Sequence, residues 1–126
     1  MIEATKDLKW ERFRSPEPSS IDCIGDDEHG VASHHSFRCA ECGDPYTHQF
    51  AVEVYFRHED CESGAFLRVS QDGALPILGE GNPSKRRDGL RILLSCENCG
   101  AVSGVTFAQH KGFTHVDYEV VGKMLD

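Results

Sequence analysis

The chain has 126 residues, of which 39% are hydrophobic and 27% charged, with a net charge of -8. That length supports one domain with a modest core, and the composition is far from that of a disordered chain. No apolar run approaches the roughly 18 residues of a membrane span, and the acidic balance disfavours a whole-surface attraction to nucleic acid, whose affinity comes largely from neutralising phosphates.

The opening "MIEATKDLKWERF" lacks the apolar core of a secretion signal. A cytoplasmic protein is therefore expected, and in a reducing compartment paired cysteines hold metal more often than they form disulfides. Residues 1–14 are expected to form a short helix on a weak stripe of Ile2, Trp10 and Phe13. "SPEPSS" at 15–20 ends it, because proline blocks continuation and restricts the residue before it. Residues 1–35 carry eight acids against four bases. Residues 1–34 read as an amino-terminal arm or extension.

Residues 35–126 read as the folded part, mainly β, a small antiparallel sheet built around a zinc ribbon. "SFRC" suits a short strand leading to the first cysteines. In "FAVEVYFRH", Val52, Val54 and Phe56 alternate with Glu53, Tyr55 and Arg57, the period of a half-buried strand. "HEDCESG" then turns the chain into a second strand, "AFLRVS", to make a hairpin. Residues 71–89 hold four of the twelve glycines and two of the five prolines, so a long presented loop is expected there, its "LPIL" tucked against the core. "LRILLSC" is an apolar strand ending in the second pair of cysteines. "GVTFAQ" and "THVDYEVV" are two more strands joined across "HKGF". On the last of these, Val116, Tyr118 and Val120 share one face, and His115, Asp117 and Glu119 the other.

The pattern "CAECG" at 39–43 recurs as "CENCG" at 96–100. Two C-x-x-C pairs have the ligand count and type of a structural Zn2+ site, so Cys39, Cys42, Cys96 and Cys99 are the expected ligands of one ion. Two intervening residues let a tight turn bring both sulfurs of a pair to one cation. Gly43 and Gly100 can take positive φ and bring backbone N–H groups near the thiolates. The rival is a single iron, since tetrahedral sulfur suits both metals. The remaining alternative is four free or disulfide-linked cysteines. Cys23 and Cys61 have no partner at ligand spacing and read as ordinary thiols.

The cysteine pattern resembles the zinc-ribbon superfamily. Taken with "CGDPYTH", "NPSKRRDG" and "QHKG", the chain resembles a group of small bacterial and bacteriophage-type proteins of uncharacterised function, over roughly residues 37–115. The resemblance implies metal binding at the four cysteines and implies no reaction.

Two catalytic patterns compete with this reading. HNH-type nucleases carry two C-x-x-C pairs, and His58 and Asn82 echo their catalytic unit. However, Asn82 lies in a Gly/Pro loop, and the segment after Cys99 reads as strand instead of the required helix. Cys61 with His58 in "RHEDC" offers a thiol and a base, but turns seldom place such sequence neighbours face to face. His48 and His110 lie near turns, as hydrogen-bond partners of sulfur, lining for a groove, or plain surface residues. His34 and His35 precede the first pair. The default is then a non-catalytic binding protein, a regulator, adaptor or inhibitor acting on a protein partner. The alternative is nucleic-acid binding through Lys85, Arg86, Arg87 and Arg91, with Tyr46, Tyr55 or Phe113 for stacking.

Overall fold

The computed structural model describes residues 36–58 and 63–124 in full, and the strands Trp10–Arg12 and Ile24–Asp26 and residue His35 as backbone. Cys23, Cys61, His34 and most of the expected arm lie outside the described residues. The fold is mainly β. Its strands are β1 (Trp10–Arg12), β2 (Ile24–Asp26), β3 (His35–Phe37), β4 (Thr47–Arg57), β5 (Gly64–Ser70), β6 (Gly73–Pro76), β7 (Gly89–Cys96), β8 (Ala101–His110) and β9 (Phe113–Met124). Seven of them form a sheet in the order β1-β9-β8-β7-β4-β5-β6, and β2 pairs with β3. Among the described residues no helix is long and apolar enough to cross a membrane.

Three elements differ from the sequence expectation. Trp10–Arg12 is a strand, antiparallel to β9 with Trp10 opposite Met124 and Arg12 opposite Gly122, where a helix was expected. A weak apolar stripe gives a helix little to bury, whereas a sheet edge satisfies backbone groups directly. The expected loop 71–89 contributes β6, paired with β5 from Leu67–Pro76 to Ser70–Gly73, so the connection narrows to 77–88. Within "LPIL", Leu75 and Ile77 are half-buried, but Leu78 is 72% exposed.

The chain forms two compact units. One comprises Phe50–Leu93 and Val105–Asp117. Its centre holds Ala51, Tyr55 and Leu93 together with the buried side chains of Glu53 and Arg91. The period of two on β4 holds, but the face that goes inside is that of Ala51, Glu53 and Tyr55, while Phe56 on the other face is 56% exposed. Glu53 is tolerated there because its charge is met on both sides. Arg68, directly opposite on β5, donates from Nε at 3.0 Å and Nη2 at 2.6 Å to Oε2. Arg91 on β7 donates from Nη1 to Oε1 at 2.9 Å, and the Tyr55 hydroxyl lies 3.3 Å from the same oxygen. A buried carboxylate needs this pairing, since desolvation of an isolated charge would cost several kcal/mol.

The segment 77–88 covers this face. Arg91 Nη1 also donates to Gly81 O at 3.1 Å, and a Cβ on Gly79 would come within 2.6 Å of the Phe66 ring. "NPSKRRDG" is internally fastened. The Asn82 amide donates to Arg87 O at 2.8 Å and accepts from Ser84 N at 2.9 Å. The Ser84 hydroxyl donates to Gln109 O at 2.8 Å and accepts from Arg87 N at 3.0 Å. Asp88 accepts from Arg57 N at 2.9 Å. Lys85 and Arg86 stand exposed at its tip, with Arg87 half-buried.

The other unit contains residues 35–49, Leu94–Gly104 and the chain from Tyr118 onward. Its core is Cys39, Ala40, Cys96, Ala101 and Val120, flanked by Phe37, Cys99 and Tyr118. The Phe37 and Tyr118 rings meet edge to face at 6.1 Å between centroids.

Candidate metal centre

Each cysteine pair is carried by a turn that the sequence sets locally. After β3, Gly43 N donates to Cys39 O at 2.9 Å; after β7, Gly100 N donates to Cys96 O at 3.1 Å. Both glycines sit at positive φ, 79° and 76°, in the left-handed region where a side chain is strained. Each turn folds back on its own first cysteine. Glu41 N lies 3.3 Å from Cys39 Sγ, while Asn98 N and Cys99 N lie 3.3 and 3.5 Å from Cys96 Sγ. These N–H groups stabilise negative sulfur.

The turns are tied to each other and to the surrounding strands. Glu97 N donates to Tyr46 O at 3.0 Å, and Met124 N donates to Gly100 O at 2.7 Å. Ala40 N donates to the Ser103 hydroxyl at 2.9 Å; Ser103 is 1% exposed. This fixes the first turn to β8, so that turn cannot drift without breaking a buried hydrogen bond.

The four sulfurs converge. All lie within 4.8 Å of one another, with Cys42–Cys96 at 3.5 Å and Cys39–Cys99 at 3.7 Å. A tetrahedron of thiolates around zinc at about 2.3 Å has edges of about 3.8 Å, so the spacing fits a four-sulfur ion. The cysteines are free, not joined as disulfides. Cys39 and Cys96 are buried, Cys99 half-buried and Cys42 exposed.

The exposed sulfur is also the most acidic resolved. The Asn98 side-chain amide, 3.6 Å from Cys42 Sγ, is the main cause that lowers this thiol to about 7. Burial pushes Cys99 up to about 12 and also raises Cys96. A metal therefore has to displace protons from the inner thiols, and in return removes the cost of burying them as anions.

The structure brings together the four cysteines singled out by the sequence, and it scatters the other candidates. Arg91 is 7% exposed and held by Glu53, so it is not part of a surface basic run. Asn82 spends its amide inside its loop, and the segment after Cys99 is β8. His48 Nε2 lies 2.9 Å from Glu97 Oε2, with both side chains exposed. His110 packs edge-on against His115 at 5.6 Å. Sequence reasoning missed Asn98 and Ser103. Asn98 was detectable in principle as the amide between two ligands, but Ser103 depends on a contact 63 residues away. Comparison of the chain with protein families, curated proteins and solved structures gave no match.

Proposed function

We propose that the protein is a non-catalytic binding protein, a regulator, adaptor or inhibitor, whose fold is fastened by one structural zinc ion held by Cys39, Cys42, Cys96 and Cys99. The observation that carries this reading is the closed four-sulfur set. Structural zinc sites use all four positions on protein ligands, whereas catalytic ones keep a position open for water or substrate. Zinc is favoured over iron for a cytoplasmic role that needs rigidity and no electron transfer.

Protein is favoured as the partner. With Arg91 turned inward, the basic run at the surface comes down to Lys85, Arg86 and the half-buried Arg87, beside Asp88. Such a short run on a chain of charge -8 neutralises few phosphates, and affinity for nucleic acid grows with their number. A stiff loop with two exposed cations suits a single acidic patch on a protein. Nucleic-acid binding is the second reading, and an HNH-like nuclease draws no support from the engagement of Asn82. Kinship with bacteriophage-type proteins rests on the short motifs alone.

The test is capture of partners from host extract by the full chain, with metal measured on the same sample. One zinc per chain is expected, with a partner that is lost on Lys85→Glu together with Arg86→Glu. Binding to DNA or RNA that weakens steeply with salt would favour the second reading. A sample carrying iron, or no metal, would overturn the first.

A further inference from the structure

Two histidines in the unit that holds Phe50–Leu93 and Val105–Asp117 have no part in the cysteine site. A two-residue turn, Lys111–Gly112, joins β8 to β9. That turn sets His110 opposite Phe113 and Ala108 opposite His115, so alternation puts these four side chains on one face of the hairpin. His110 and His115 are then diagonal neighbours, a gap that aromatic side chains span. Their ring centroids stand 5.6 Å apart. The opposite face holds the turn in place. The Gln109 amide donates to Lys111 O at 2.7 Å, and the Thr114 hydroxyl donates to Gln109 Oε1 at 3.2 Å. Both histidines are exposed, and among the described residues neither ring makes a hydrogen bond.

We propose that His110 and His115 together bind a transition dication such as Zn2+, at a second metal site separate from the four cysteines. Imidazole nitrogen suits zinc, copper and nickel, and these rings spend their nitrogens on nothing else among the described residues. The separation fits one ion. With Zn–N bonds of about 2.0–2.1 Å, two imidazoles on a tetrahedral zinc have centroids about 5.2 Å apart. The edge-on rings have only to turn about their own side-chain bonds, which their exposure permits. The backbone beneath them is already held through Gln109 and Thr114, so little ordering opposes binding. Asp117 follows His115 on the same face and favours a cation there, against the charge of Lys111 at the turn. Among the described residues no third histidine, cysteine or carboxylate joins the pair. The site is therefore open where the cysteine set is closed, and its remaining positions take water or a donor from another molecule, a carboxylate or an imidazole.

The experiment is a titration of Zn2+ into the full chain already carrying one equivalent, read by calorimetry and by the imidazole signals in NMR. A second, weaker equivalent is expected, with the ring signals of His110 and His115 shifting together. His110→Ala and His115→Ala should each weaken it about tenfold or more, since loss of a ligand costs at least what loss of an outer partner does. Both variants should keep the first zinc and the circular dichroism of the parent, because both side chains are exposed. His110→Gln and His115→Gln serve if an alanine variant misfolds. His48→Ala is the control and should leave the second equivalent unchanged. No second equivalent up to about 0.1 mM free Zn2+ overturns the proposal. So does one that survives both substitutions, or one that is lost equally with His48→Ala.

Discussion

Arg91 Nη1 lies 2.9 Å from Glu53 Oε1, joining neighbouring strands β7 and β4, with the two side chains 8% and 1% exposed. Arg68 holds the other carboxylate oxygen, so one buried anion is shared by two cations. Glu53→Gln removes a charge that both arginines meet. It is expected to cost about 3 kcal/mol, the low end for breaking a buried pair. Arg91→Met should cost less, because Glu53 keeps Arg68. Denaturant melts of the zinc-loaded variants check the order, and equal losses would show that the three groups do not share one network.

The same cluster shows where sequence reading ends. The period of two on β4 was legible, as was the position of nearly every strand, because alternation and turn residues are local signals. Which face turned inward was not. Glu53 reads as solvent-facing until Arg68 and Arg91, 15 and 38 residues further on, are brought beside it. Arg91 read as surface because it follows Lys85, Arg86 and Arg87 in one short run. The cysteine site was legible for the converse reason. Both C-x-x-C-G turns fold within five residues, and two such pairs have the ligand count and type of one four-sulfur ion. β6 was missed because glycine and proline mark loops, and here they bound a four-residue edge strand ending at Pro76.

Gly89 tests whether "NPSKRRDG" is a fixed platform. A Cβ there would meet Asn82 Oδ1 at 2.1 Å and Pro83 Cδ at 2.9 Å. Asn82 cannot give way without losing its bonds to Ser84 N and Arg87 O. Gly89→Ala is expected to destabilise by about 1–3 kcal/mol, as overpacking does, and to speed hydrogen exchange at the amides of Ser84 and Arg87. Gly112→Ala meets nothing within 4 Å and should pass unnoticed. Equal exchange in both variants would mean that the loop is not held by Asn82.

On the proposed zinc site, removal of one cysteine should undo the unit that the ion would fasten. Cys96 is 5% exposed and belongs to the core as well as to the sulfur set. Cys96→Ser leaves three thiolates for a dication and is expected to abolish cooperative melting at the metal end, since zinc supplies about 10 kcal/mol or more to comparable small sites. Gly100→Ala is the graded control. It has room for a Cβ but sits at φ 76°, so about 1 kcal/mol should be lost with zinc retained. Calorimetry with parallel zinc analysis separates the two, and an unchanged melt for Cys96→Ser would mean that the metal does not hold the fold.

The pH dependence of loading follows from the thiols. In the metal-free protein burial raises Cys96 and raises Cys99 to about 12, so both hold protons throughout the neutral range. Zinc needs thiolates, so binding releases both protons, and affinity must rise with pH and fall with acid. These two protons alone give about 100-fold in affinity per pH unit, and the metal's share of stability falls with them as pH falls. Cys42, lowered to about 7 chiefly by the Asn98 amide, adds a further proton only below that pH. The slope should therefore steepen from pH 8 to pH 6. Asn98→Ala should raise the Cys42 thiol and move the steepening to higher pH. Competition against a chromophoric chelator across that range measures the slope, and a flat profile would show that the sulfurs are not the ligands.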